Sequence, residues 1–127
     1  MELIHTCYRV TDPERSIAFY EALGLEKRRE LPIRDEAVNY FLGVPGKPQP
    51  ELELTHNFGV DSYELGTAYG HIALTIEDMA GTLAALAEKG LEPFADERSA
   101  VPGVEETLGP GECGAVPLFF AAGRAGQ

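Results

Sequence analysis

HTCYRVTDPERSIAFYEALGLEKRRE, from His5 to Glu30, lies without a gap over HIALTIEDMAGTLAALAEKGLEPFAD, from His71 to Asp96, and this self-match decides the fold. At the single offset of 66 residues between His5 and His71, Asp12 meets Asp78, Ile17 meets Leu83 and Gly24-Leu25-Glu26 meets Gly90-Leu91-Glu92. One shift that aligns a strand start, a helix cap and a helix stop implies a duplicated supersecondary unit.

Local signals give that unit its parts. Leu3 to Val10 and Gly70 to Ile76 are rich in strand formers and read as strands. Asp12-Pro13 supplies an N-cap followed by proline at the first helical position, with Ile17, Tyr20 and Leu23 on one face and Gly24 as the stop. In the second copy Asp78 is the cap, Met79, Leu83 and Leu86 form the apolar core stripe, and Gly90 is the stop. Leu25 to Leu31, Ala37 to Leu42 and Glu51 to Asn57 read as three further strands, with GVPGKPQP from Gly43 marking the turn before the last. The expected architecture is α+β, with two tandem βαβββ modules in one domain spanning residues 1–127. Module one covers about 1–58, a linker about 59–69, and module two about 70–127. From Asp96 to Gly114 the second copy becomes rich in Gly, Pro and Glu, and only Val116 to Ala121 reads clearly as a terminal strand.

Side chains alternate across a strand, so residues of equal parity share a face. His5, Cys7 and Arg9 lie opposite Thr6, Tyr8 and Val10. Glu51, Glu53, Thr55 and Asn57 lie opposite Leu52, Leu54 and Phe58, and His71 lies with Ala73 and Thr75 opposite Ile72, Leu74 and Ile76. Three strands thus turn a polar face away from the helices, and two of those faces begin with histidine at equivalent repeat positions. Two modules related by a pseudo-twofold would bring His5 and His71 together, and Glu53 could join them. Imidazole and carboxylate donors suit a divalent metal with positions left open for substrate. Arg9 and Asn57 lie four residues beyond His5 and Glu53, about 13 Å along an extended strand. That distance excludes ligation and suits a grip on the remote end of an extended ligand, with the Arg9 guanidinium on a carboxylate. His56 falls on the opposite strand face from Glu53 and reads as structural.

Composition narrows the function classes. With a formal charge of −11 and its Lys and Arg residues scattered singly, the chain is a poor partner for nucleic acid or anionic lipid. No apolar run approaches a membrane span, and the N-terminus lacks signal-peptide order, so the chain reads as cytoplasmic. Cys7 and Cys113 are isolated, without CxxC spacing, and read as reduced thiols.

The segments ELELTHNFGVDSYELGTAYGHIAL, Glu51 to Leu74, and LIHTCYRVTDPERSIAFYEALGL, Leu3 to Leu25, resemble glyoxalase I, lactoylglutathione lyase, of the vicinal oxygen chelate superfamily. The resemblance implies curved half-barrel sheets, a homodimer, a divalent metal with nickel or zinc foremost, and isomerisation of the methylglyoxal-glutathione hemithioacetal with glutathione as co-substrate. Carried over by motif, His5, Glu53 and His71 are metal ligands, Glu53 is the catalytic carboxylate, and Arg9 and Asn57 hold the glutathione portion. The family pattern also has a fourth ligand, a glutamate on the last strand, and here the chain departs from it. The repeat register puts Phe119 at the position equivalent to Glu53, and residues 116–127 contain no acid. Glu112 is the nearest candidate, reaching a metal only if loop length differs between the modules. This departure keeps two other readings open on the same scaffold, a binding protein without turnover and a non-haem metal oxygenase.

Overall fold

The computed structural model describes residues 1–64, 72–91, 104–108 and 118–122. They fall into two units. The first contains β1 (His5–Arg9), α1 (Pro13–Ala22), β2 (Glu26–Ile33), β3 (Ala37–Gly43) and β4 (Glu51–Asn57); the second contains β5 (Ile72–Ile76), α2 (Met79–Glu88), β6 (Val104–Leu108) and β7 (Leu118–Ala122).

In the first unit the strands form one mixed sheet in the order β1-β4-β3-β2. β1 runs parallel to β4, while β3 is antiparallel to both β4 and β2. Parallel neighbours need a crossover connection, and α1, β2 and β3 provide it. The helix begins where the sequence predicts, because the Asp12 side chain accepts from the Arg15 N–H at 3.1 Å and Pro13 occupies the first turn. It ends before Gly24, whose φ of 104° is a left-handed conformation that favours glycine. The buried residues of α1 are Ser16, Phe19 and Tyr20, so the apolar stripe is rotated from the expected Ile17, Tyr20 and Leu23. Phe19 and Tyr20 meet edge to face at 5.3 Å, and filling the core with two rings displaces Ile17 toward the rim. α1 packs on β2 and β4. The apolar face of the sheet contributes Val10, Leu42, Leu52 and Leu54, with Leu42 and Leu54 almost wholly buried.

Among the described residues the second unit follows the same order of strand, helix and strands, with three strands paired as β5-β7-β6. α2 starts 66 residues after α1, and its cap Asp78 accepts from the Gly81 N–H at 3.0 Å, as Asp12 does from Arg15. Pairing repeats as well. Thr6 lies beside Leu52 and Cys7 beside Glu53, while Ile72 lies beside Leu118 and Ala73 beside Phe119, at the same offset. Phe119 therefore occupies the backbone position that Glu53 occupies in the first unit.

Some boundaries differ from expectation. β1 starts at His5, not Leu3, where its pairing with β4 begins opposite Glu51. β2 runs on to Ile33, because Ala37 to Gly43 pairs back along it through a tight turn at Arg34 to Glu36. β6 lies within the segment whose composition gave no strand signal; Val104 to Leu108 is held by pairing with β7, so tertiary pairing overrides weak local propensity. The terminal strand is Leu118–Ala122, shifted from Val116 to Ala121. Gly70, His71, Glu112, Cys113 and Val116 lie outside the described residues.

Candidate metal and substrate site

The β-sheet of the first unit presents one face built from alternate residues of β1, β4, β3 and β2. At its centre His5 Nε2 stands 3.1 Å from Glu53 Oε2, with the Glu53 side chain 11% exposed and His5 44%. The parallel β1–β4 register makes this contact, since it sets Cys7 beside Glu53 and so brings His5 within reach of the same row. An imidazole nitrogen lone pair and a carboxylate oxygen at that distance repel unless something positive lies with them. A proton satisfies the pair, and so does a metal ion. A divalent ion held by these two side chains would remove the same repulsion. The donor set fits a divalent cation, with one borderline nitrogen and one hard oxygen.

The neighbouring carboxylate has a different fate. Glu51 is on the same face and equally buried, but Arg29 Nη1 and Nη2 donate to its two oxygens at 2.9 Å each. Such a bidentate pair leaves Glu51 committed. Glu53, by contrast, has no guanidinium or ammonium partner among the described residues. Sequence parity placed both acids on this face, and only the cross-strand partners tell them apart. Between the two pairs sits Phe41, opposite Glu53 on β3. Its ring takes Arg29 Cζ at 3.9 Å over one side and meets His5 edge-on at 6.0 Å. Phe41 thus packs between His5 and Arg29. The signal for Phe41 and Arg29 was present in the alternation of β2 and β3, but it becomes readable only once the antiparallel register is known.

Next along the face runs a polar ladder. Thr55 Oγ1 donates to Asn39 Oδ1 at 2.8 Å and lies 3.2 Å from Cys7 Sγ. A hydroxyl has one hydrogen, so the Cys7 thiol is the donor toward Thr55.

At the far end Arg9 and Asn57 line one cleft of about 540 Å³. Asp35 and Glu36 come to it from the β2–β3 turn, and Tyr63 from the segment after β4. Tyr63 donates to Asn57 Oδ1 at 3.2 Å, which fixes the amide and leaves its N–H groups for a ligand. The structure thus brings Arg9 to Asn57 and His5 to Glu53. His71 and Glu112 lie outside the described residues, which hold no group of three or more His, Cys, Asp or Glu side chains placed to share a metal ion. His56 stacks edge to face with Phe58 at 5.6 Å, a packing role.

A family model for the Glyoxalase/Bleomycin resistance protein/Dioxygenase superfamily matches residues 2–110. The chain belongs to that superfamily. It is 42% identical over 93 residues to a lactoylglutathione lyase of Haemophilus influenzae, an alignment covering 71% of this chain and 69% of the relative. A lactoylglutathione lyase of Escherichia coli O157:H7 matches at the same identity and coverage. Among solved structures, the trypanothione-dependent glyoxalase I of Leishmania major superposes with a TM-score of 0.77 at 31% identity, over 96% of this chain and 86% of that one. The expected α+β glyoxalase fold is therefore observed. No helix among the described residues is long and apolar enough to cross a membrane.

Proposed function

We propose that this protein is a metal-dependent lactoylglutathione lyase, converting the methylglyoxal-glutathione hemithioacetal into its thioester in a detoxification reaction. The observation that carries this reading is the His5–Glu53 pair at 3.1 Å on a family scaffold whose curated relatives bear that activity. His5, Glu53 and His71 hold the divalent metal, nickel or zinc by resemblance. His71 enters because it immediately precedes β5 at the repeat position of His5. The chemistry a bound divalent ion supplies is Lewis-acid polarisation of two adjacent substrate oxygens, which acidifies the C–H bond between them and the sulfur. Glu53, with no guanidinium or ammonium partner among the described residues, takes the carbon-bound proton and returns it to the neighbouring carbon, so the hemithioacetal becomes a thioester with no change in overall composition. Arg9 and Asn57 hold the glutathione end, and about 13 Å of extended strand between them and the metal ligands matches a tripeptide conjugate lying along the sheet. The working protein is a cytoplasmic homodimer, and water, a symmetry-related side chain or Glu112 completes the coordination.

One observation favours a second reading, a binding protein with little turnover. Phe119 stands in β7 where Glu53 stands in β4, so the second unit provides no carboxylate at the equivalent position. Metal-free protein reconstituted with nickel, zinc, cobalt or manganese and supplied with methylglyoxal and glutathione decides between them. Thioester formation with at least one metal supports the lyase. Stoichiometric metal binding without product under every metal leaves the binding protein.

A further inference from the structure

The cleft at the Arg9 end carries a charge pattern that gripping a carboxylate does not explain. Arg9 accounts for one anionic group of a ligand. Asp35 and Glu36 line the same cleft, both exposed, and with no described residue does Arg9, Asp35 or Glu36 form an ion pair. The backbone holds these acids in place. The turn that bears them is closed by the Glu36 N–H donating to the Ile33 carbonyl, Arg34 takes a positive φ of 49°, and the Phe58 N–H donates to the Glu36 carbonyl, tying the turn to the end of β4 beside Asn57. Two acidic residues and one arginine that line one space, with no ion pair among the described residues joining them, match a ligand that brings both signs.

We propose that Asp35 and Glu36 are specificity-determining residues that read an ammonium group, so that the cleft selects thiol conjugates whose remote end is a free α-amino acid and discriminates against those whose amine is blocked. This rests on the reading of the Arg9–Asn57 cleft as the holder of the conjugate's remote end. Arg9 takes the carboxylate, the Asn57 amide N–H groups add donors to it, and the two acids take the ammonium. A surplus of one carboxylate, within a chain of formal charge −11, makes the cleft repel an end that is only anionic. The ammonium contacts are charge-assisted but partly solvated, so each contributes modestly.

The test is calorimetric titration of the metal-loaded full chain with two probes, S-methylglutathione and its N-acetylated form, which keeps every group except the ammonium. Wild-type protein is expected to bind S-methylglutathione about tenfold more tightly, as for a charged hydrogen-bonded contact that is partly exposed. In the double variant Asp35→Asn/Glu36→Gln the two probes should bind within about twofold of each other, with the N-acetylated probe bound no more weakly than by wild type. Both positions are exposed turn residues, and an unchanged melting temperature confirms that the fold is kept. Equal binding of the two probes by wild type, or a preference that survives in the double variant, overturns the role of these acids while leaving the glutathione reading standing. Failure of wild type to bind either probe overturns both.

Discussion

The two units of this chain share a backbone plan and differ in one face. Asp12 and Asp78 cap their helices in the same way, Gly24 and Gly90 both end them at positive φ, and the parallel strand pairs hold the same register. At the positions that turn toward the helix in the first unit, the second has residues of the same kind: Val10 is matched by Ile76, Leu52 by Leu118 and Leu54 by Phe120. On the other face the histidine is repeated, His5 by His71, but the rest is not. Cys7 is matched by Ala73, Arg9 by Thr75, Glu53 by Phe119 and Thr55 by Ala121. Packing against a helix constrains volume and polarity, so that face keeps its character when a module is copied. The open face is free to specialise, and at these four matched positions the first unit alone carries the thiol, guanidinium and carboxylate.

The sharpest challenge to this asymmetry is at its centre. Glu53→Gln should lower kcat by about 10²- to 10⁴-fold, the usual range for a lost proton-transfer group, while circular dichroism stays unchanged. A kcat within twofold of wild type would mean that the first unit does not carry the proton. Removing a packing residue from the shared face acts on stability instead. Leu54→Ala opens a cavity in the first unit's core and should cost about 2–5 kcal/mol in a urea titration. The helix caps probe the symmetry itself. Asp12→Ala and Asp78→Ala should each cost about 1 kcal/mol, and a difference between them of more than that would show that the two caps are not equivalent.

The smallest effect lies at the edge. Lys27 and Glu30 meet at 2.5 Å on β2, and the hydrogen bond to Glu30 raises the lysine pKa above its ordinary value. Residues three apart on a strand ordinarily face opposite ways, but a bulge between Lys27 and Arg29 puts both on one side. The raised value means that the pair's contribution is complete below the ordinary lysine pKa and is lost as pH rises through the folded value. Glu30→Gln should bring the Lys27 titration, followed by NMR, back toward the ordinary lysine range with no measurable change in stability, because both groups are exposed.

Much of this was readable from the chain. The repeat, the caps, both helices and the strand at Glu51 to Asn57 follow from spacing that any strand or helix imposes, and the parity of His5 and Glu53 follows from the two-residue period. The rest depends on long-range pairing. No local pattern distinguishes Glu51 from Glu53, since the difference is Arg29 arriving from another strand. Nothing in GVEETLGPGECG marks Val104 to Leu108 as a strand, because β7 imposes it. The charged turn at Asp35 and Glu36 reads as an ordinary solvated connection until the structure sets it beside Arg9.

The parallel pairing of β1 with β4 also has a meaning in time. His5 and Glu53 are separated by nearly the whole first unit, and antiparallel hairpins form from neighbours while this pair waits for α1, β2 and β3 to be laid down. Closing so long a loop is an entropic cost met late, and non-local strand pairing is slow. The donor pair therefore does not exist in the unfolded chain and comes into being with completion of the sheet. A metal present during refolding should leave the early rate untouched and slow unfolding, acting as a latch on the finished module rather than as a seed for it.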